Sequence, residues 1–169
     1  MTRIERATLA DIAYIDDLRK KEGHAVGFIP KQRYEMEIRR ERLGSLFVAV
    51  ENDDRVGFIY ATHGGGCSKI QQIAIQRDAR LLERGRLLVD AIRQDGLRRS
   101  VTQLGCRCAA DLESVGFWKA LGFDVVGENV GIWLAGKGES AIAQSGRKII
   151  VFRKQLELPL FHTLRCNSI

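Results

Sequence analysis

Apolar and polar positions follow two different periods along this chain, and the switches between them mark out its elements. RIERA (3–7) reads as a short edge strand. From Thr8 the period lengthens: Ile12, Ile15 and Leu18 fall on one helical face, with Thr8 as the N-cap and Asp11 three residues on. Gly23 to Ile29 reads as a loop, and Pro30 suits the first turn of a second helix through about Arg42. Tyr34, Ile38 and Leu43 are that helix's main apolar contacts, so it is expected at the surface. Period-two runs return at 45–51 (SLFVAVE) and 55–62 (RVGFIYAT), separated by Asn52-Asp53-Asp54, which is hairpin chemistry.

Gly64-Gly65-Gly66 lies between two strands, since SKIQQIAI (68–75) follows it, and so reads as a turn and not a dinucleotide loop. A helix is expected from Arg80 to about Arg93, ending near Gly96. A strand (101–109), a short helix (111–121) stopped by Gly122, a strand opening at 123–127 and a last strand (148–156) complete the pattern. The Gly-rich stretch 128–146 shows no readable period. The order β-αα-βββ-α-β-α-β-β, without repeat or linker, predicts one α/β domain over residues 3–156. The tail, 157–169, carries Leu158, Leu160, Phe161 and Leu164; it is apolar enough to suggest a homodimer contact.

A length of 169 residues agrees with one domain. The composition, 45% hydrophobic and 28% charged, excludes collagen-like and disordered chains, and no apolar run reaches the ~18 residues of a membrane span. Arg3, Glu5 and Arg6 stand where a secretory signal would be apolar. Cys67, Cys106, Cys108 and Cys166 form no metal or disulfide framework, which points to a reducing cytoplasm and no metal. Ser100, Ser114 and Ser145 lack a neighbouring His and Asp pattern for nucleophilic catalysis.

Charge directs attention to one stretch. Residues 77–107 hold eight arginines against Asp78, Glu83, Asp90 and Asp95, most of the whole-chain excess of +6. They follow the strand ending Ile73-Ala74-Ile75 and surround a helix start. Unpaired N–H groups at a helix start form an anion site, so a phosphate-bearing ligand is the natural reading, with a solvated basic helix face as the plain alternative. A net +6 with few exposed aromatic candidates gives little support to a nucleic-acid partner.

Here the sequence resembles the GCN5-related N-acetyltransferases. Their strand ends in an apolar-x-apolar triplet, matched by Ile73-Ala74-Ile75. Their helix opens with Arg/Gln-x-x-Gly-x-Gly/Ala, matched by Arg80-Leu81-Leu82-Glu83-Arg84-Gly85. A second element, Asn-x-x-Ala-x-x-Phe-Tyr-x-x-x-Gly-Phe, is similar to Asp111 through Ser114, Phe117-Trp118 and Gly122-Phe123. The opening RIERATLADIAYIDDL and the hairpin ending VGFIYA also resemble the family, so the likeness spans about 3–156. It implies a mixed, mostly antiparallel sheet of six to seven strands flanked by about four helices. It also implies transfer of an acetyl group from acetyl-CoA, as co-substrate, to a primary amine. Coenzyme contacts would come from Ile73, Ala74, Ile75, Arg80, Leu81, Leu82, Glu83, Arg84, Gly85, Arg86 and Asp111.

Three departures bear on mechanism. Glu83 stands where the family's first loop glycine lets the backbone approach a pyrophosphate, and Gly85 keeps the second. Trp118 replaces the tyrosine that the family uses to protonate the departing thiolate; an indole N–H donates a hydrogen bond but delivers no proton. Trp118 as a plain core aromatic is the alternative. The segment Lys69-Ile70-Gln71-Gln72 lacks the carboxylate that many relatives use as base. Glu22, His24 and His63 are the substitutes, with a water chain as another route. Two further readings stand beside the transferase: a degenerate binding module without catalysis, and a transferase acting on aminoacylated RNA.

Overall fold

A computed structural model of the chain describes residues 1–39, 44–79, 82–135 and 142–157. The strands are β1 (Arg3–Arg6), β2 (Gly44–Glu51), β3 (Asp54–Gly64), β4 (Cys67–Ile75), β5 (Gln103–Ala109), β6 (Asp124–Ala135) and β7 (Ile142–Gln155). The helices are α1 (Ile12–Lys21), α2 (Gly23–Val26), α3 (Lys31–Arg39), α4 (Leu82–Arg98) and α5 (Ser114–Ala120), with single 3-10 turns at Leu9–Asp11 and Arg77–Ala79. The strands form one seven-stranded sheet in the order β1-β2-β3-β4-β5-β7-β6. Every pairing is antiparallel except β4 with β5.

The period-two pattern of β2 sorts its side chains onto two cores. Leu46, Val48 and Val50 face α1 and α3, where Ile12, Ile15, Leu18, Tyr34, Phe58 and Tyr60 are buried. Phe47 and Ala49 face α4 and α5 with Ile59, Leu88, Ile92, Leu104, Trp118 and Phe152. Thr8 and Asp11 act together at the first helix start as expected: the Thr8 N–H and hydroxyl both donate to Asp11 Oδ2 at 2.8 Å. Asn52 and Asp53 take positive φ (48° and 68°) at the β2–β3 turn, the conformation of a tight hairpin.

Five elements differ from the sequence reading. α2 is a helical turn where a loop was expected, and α5 begins at Ser114, not Asp111. α4 runs past Gly96 to Arg98 because this glycine marks an approach to β4, not a stop. A Cβ there would lie 2.8 Å from Ser68 Oγ. The stretch 128–146 contains the far part of a long β6–β7 hairpin. α3 is not merely superficial either, since Tyr34 is fully buried. Arg80, Leu81 and the expected dimer contact in the tail lie outside the described residues. Among those described, no helix is long and apolar enough to cross a membrane, Cys67, Cys106 and Cys108 are free thiols, and no cluster of metal-ligating side chains occurs.

Candidate functional site

β4 and β5 run side by side and then part. They pair over Cys67–Ile70 and Gln103–Cys106, whereas β4 continues to Ile75 and β5 to Ala109. β5 is held at its far edge by β7 along its whole length, so the two strands open as a wedge toward their C-terminal ends. Gln76 N–H donates to the Val56 carbonyl on β3 at 2.9 Å. Alternation along the strand therefore turns the amides of Ile73 and Ile75 to the edge facing the gap, and that of Ala74 to β3.

The first turn of α4 sits at the mouth of this gap. Gly85 is the contact point: a Cβ there would lie 3.6 Å from Ile75 Cδ1 and only 2.5 Å from the Phe117 ring of α5. Gly85 is thus required by packing against Phe117. Gly85→Ala is expected to force the ring aside and cost about 1–3 kcal/mol of stability by overpacking, read as a lowered chemical-denaturation midpoint. Glu83 and Arg86 are exposed on that turn. Arg84 is committed elsewhere, donating to the Ala79 carbonyl at 2.8 Å and pairing with Glu51 at the end of β2. Its two Nη atoms therefore brace the connection, while Nε is buried without a hydrogen-bond partner.

Much of the arginine density read as a phosphate signal is consumed internally. Arg93 pairs with Asp90 at 2.7 Å, Arg98 and Arg99 with Asp95 at 3.3 and 2.9 Å, and Arg77 with Glu22 at 3.4 Å. Spacing along a helix cannot separate such pairs from a ligand site, because i,i+3 and i,i+4 partners look alike in both cases.

The candidate bases fall in two places, Glu22 and His24 at α2 and His63 on β3. Glu22 is buried just before α2, held by Arg77 from the turn that follows β4. The side chain of His24 is exposed. His63 stands beside the paired part of β4, two residues before the strands part after Ile70. Its Nδ1 meets Ser68 Oγ and its Nε2 meets Ser45 Oγ, each at 2.7 Å.

Trp118 is 3% exposed, with Phe117 at 4.9 Å and Phe123 at 5.1 Å, both edge-on. The structure places it among the core residues, the position the packing alternative expects. Cys108, at the end of β5, shares a 3.1 Å contact with Ser114 Oγ, and burial pushes its thiol up, away from a nucleophilic thiolate.

Two residues that the sequence did not single out line the gap's rims. Gln72 of β4 is buried; its Nε2 donates to the carbonyls of Val26 (3.0 Å) and Gly27 (3.1 Å), and its Oε1 accepts from the Tyr34 hydroxyl. Arg147 of β7 grips Asp111 just beyond β5, with Nη2 at 2.8 Å and Nε at 3.1 Å from its carboxylate. That grip holds the Asp111 carboxyl below the usual carboxylate range.

A family model described as an acetyltransferase (GNAT) domain matches residues 15–131. No curated protein sequence matches the chain. Among solved structures, the chain is similar to the ribosomal-protein-S18-alanine N-acetyltransferase of Escherichia coli: TM-score 0.70 and 15% identity, over 92% of this chain and 94% of that one. It is also similar to Arabidopsis thaliana NAA60 in complex with a bisubstrate analogue, with a TM-score of 0.75 and 10% identity over 94% and 99% of the two chains. A third is a Bacillus subtilis acetyltransferase in complex with CoA, with a TM-score of 0.70 and 15% identity over 93% and 100%.

Proposed function

The chain belongs to the GNAT acetyltransferase family, and from that premise we propose that it moves an acetyl group from acetyl-CoA to a primary amine. The observation that carries this reading is the parting of β4 and β5 with the first turn of α4 at its mouth. A pantetheine arm is amide-like and takes strand-type hydrogen bonds, which the β4 edge at Ile73 would offer, with Ala74 and Ile75 beside it. The pyrophosphate would be received by amides at the start of α4, Leu82, Glu83, Arg84, Gly85 and Arg86, where the helix dipole favours an anion, with Arg80 and Leu81 next to them in sequence as further candidates.

The reaction needs little from the protein beyond placement. The amine nitrogen attacks the thioester carbonyl carbon, the C–N bond forms, the C–S bond breaks, and the thiolate leaves with the bonding pair. A thiol pKa near ~8.5 makes that thiolate a tolerable leaving group without an acid. This fits a gap whose aromatic neighbour, Trp118, is buried in the core. The ammonium proton formed on attack would go to Glu22, the candidate carboxylate nearest the end of β4, or to a water chain. Orientation in the gap and a strand N–H on the thioester oxygen supply the main acceleration.

Calorimetric titration with acetyl-CoA tests the reading directly; neither heat nor thermal stabilisation at millimolar coenzyme would overturn it. Binding without turnover on a panel of amines would instead assign a binding module. Glu83→Gly is expected to tighten the coenzyme up to about tenfold, or ~1.4 kcal/mol, by removing an exposed carboxylate beside two phosphates. Glu83→Gln separates charge from backbone: if it gives the same gain, repulsion was the cause. Weaker binding in both variants would show that Glu83 serves the helix start.

A further inference from the structure

α2 is a single turn, Gly23–Val26, closed by hydrogen bonds from the Ala25 and Val26 amides to the Glu22 carbonyl. One helical turn has no stability of its own, since nucleation is unfavourable until packing supports it. What fixes this turn is a pair of side chains arriving from opposite rims of the gap. From β4, Gln72 donates to the carbonyls of Val26 and Gly27. From the β5 side, Arg147 donates through Nη1 to the His24 carbonyl at 2.7 Å while its other nitrogens grip Asp111. Three carbonyls of one short segment are thus held by two strand systems that have ceased to pair with each other.

We propose that Gln72 and Arg147 are positioning residues that suspend α2 across the gap, so that filling the gap with coenzyme resets the turn flanking the acceptor entrance. This coupling rests on the reading of the gap as the acetyl-CoA site. The two ties differ in strength. Gln72 is 3% exposed and engaged at both ends of its amide, so the β4 tie is the stronger of the two. Arg147 and Asp111 are 42% and 64% exposed, and an ion pair in water opens readily. Gly27, with φ of +68°, follows α2 and is the point about which it turns when the Arg147 tie yields. Glu22 immediately precedes α2, so resetting the turn also resets the carboxylate proposed to take the proton.

The test is millisecond hydrogen exchange at Ala25 and Val26 in the full chain, with and without saturating acetyl-CoA, for wild type, Arg147→Gln and Arg147→Lys. In the free protein, Arg147→Gln is expected to accelerate exchange at these two amides at least threefold with β2 and β3 unchanged, and Arg147→Lys to recover part of the loss. Acetyl-CoA is expected to change α2 exchange at least threefold in wild type and not in Arg147→Gln. Equal exchange in wild type and Arg147→Gln overturns the tie, whatever the coenzyme does. Exchange at α2 that is indifferent to coenzyme in a sample it stabilises thermally overturns the coupling. Failure of acetyl-CoA to stabilise any sample overturns the gap reading and the coupling with it, while the free-protein comparison still judges the tie. Arg147 is exposed, so its variants will fold even if Gln72→Met does not.

Discussion

Asp95→Ala is expected to cost this fold roughly 2–4 kcal/mol, somewhat below the ~3–5 kcal/mol for removing one member of a fully buried charge pair. Asp95 is 2% exposed and takes hydrogen bonds from Ser45 Oγ, Arg6 Nη2 (2.5 Å), Arg99 Nε (2.9 Å) and Arg98 Nη2 (3.3 Å). It ties β1, β2 and α4 together. Arg6 and Arg98 are 47% and 66% exposed, so they rehydrate when the carboxylate goes, which keeps the loss below that of a fully enclosed pair. Ser45 has one proton and gives it to Asp95. The His63 Nε2 contact with Ser45 must then be an N–H donation. Burial favours the neutral ring, in which Nδ1 accepts from Ser68.

Two pH windows follow. Burial, then Arg99, push His63 down, with Asp95 opposing. Because the folded value lies below the unfolded ~6.5, the folded state binds fewer protons, and stability is complete above ~6.5 and falls as pH drops below it. For Asp95, burial raises the carboxyl, but bonds from Ser45 and Arg99 with Arg6 nearby outweigh it and hold it at about 2. That contribution is complete above the unfolded ~3.9 and is lost between there and about 2. Melting temperatures recorded from pH 8 to 2 should show both declines. His63→Gln should flatten only the upper one and Asp95→Asn only the lower. A single decline in wild type near pH 4 would show that His63 titrates freely.

The sheet was legible because its strands alternate cleanly: Leu46, Val48 and Val50 against Phe47 and Ala49 state both faces at once. The hairpin turn was legible because Asn52 and Asp53 are residues that accept positive φ. Gly96 misled because a glycine permitting a close helix–strand approach is spelled like a glycine ending a helix. The β6–β7 hairpin was hidden for a different reason. It lies at the sheet edge, where one-sided packing imposes little alternation; Val125, Val126 and Val130 are all exposed there.

Within the site, local sequence showed the strand-to-helix junction and missed the rims. Ile73, Ile75 and Gly85 are neighbours in sequence and in space, so one motif captured them. Gln72 and Arg147 act on α2 from 45 or more residues away, and nothing in a linear pattern distinguishes them from ordinary strand residues. Glutamine at 72 was legible only as a missing carboxylate, whereas its amide performs a task a carboxylate cannot: donating to two carbonyls. Arginine density misled in the opposite direction, since Arg84, Arg98 and Arg99 bind the protein's own acids.

Trp118→Ala is expected to lose about 3–5 kcal/mol, the cost of removing a buried indole and leaving a cavity lined by Phe117 and Phe123. The consequence extends to the gap, because Phe117 also rests against Gly85 in the first turn of α4. An indole that only packs and one that faces the departing sulfur predict different results for Trp118→Tyr. In the core, the smaller ring and its hydroxyl lower the melting temperature modestly, and turnover per folded molecule does not change. At the sulfur, the phenol would raise turnover and add a fall in rate near pH ~10 as it ionises. Tyr34 and Tyr60 do not supply that acid in its place: both are buried, bonded to Gln72 and Glu37, and burial raises both above the ordinary phenol range. Unchanged turnover with a lowered melting temperature in Trp118→Tyr is the expected outcome. A rate increase, with the new alkaline limb, would instead bring the indole out of the core and into the reaction.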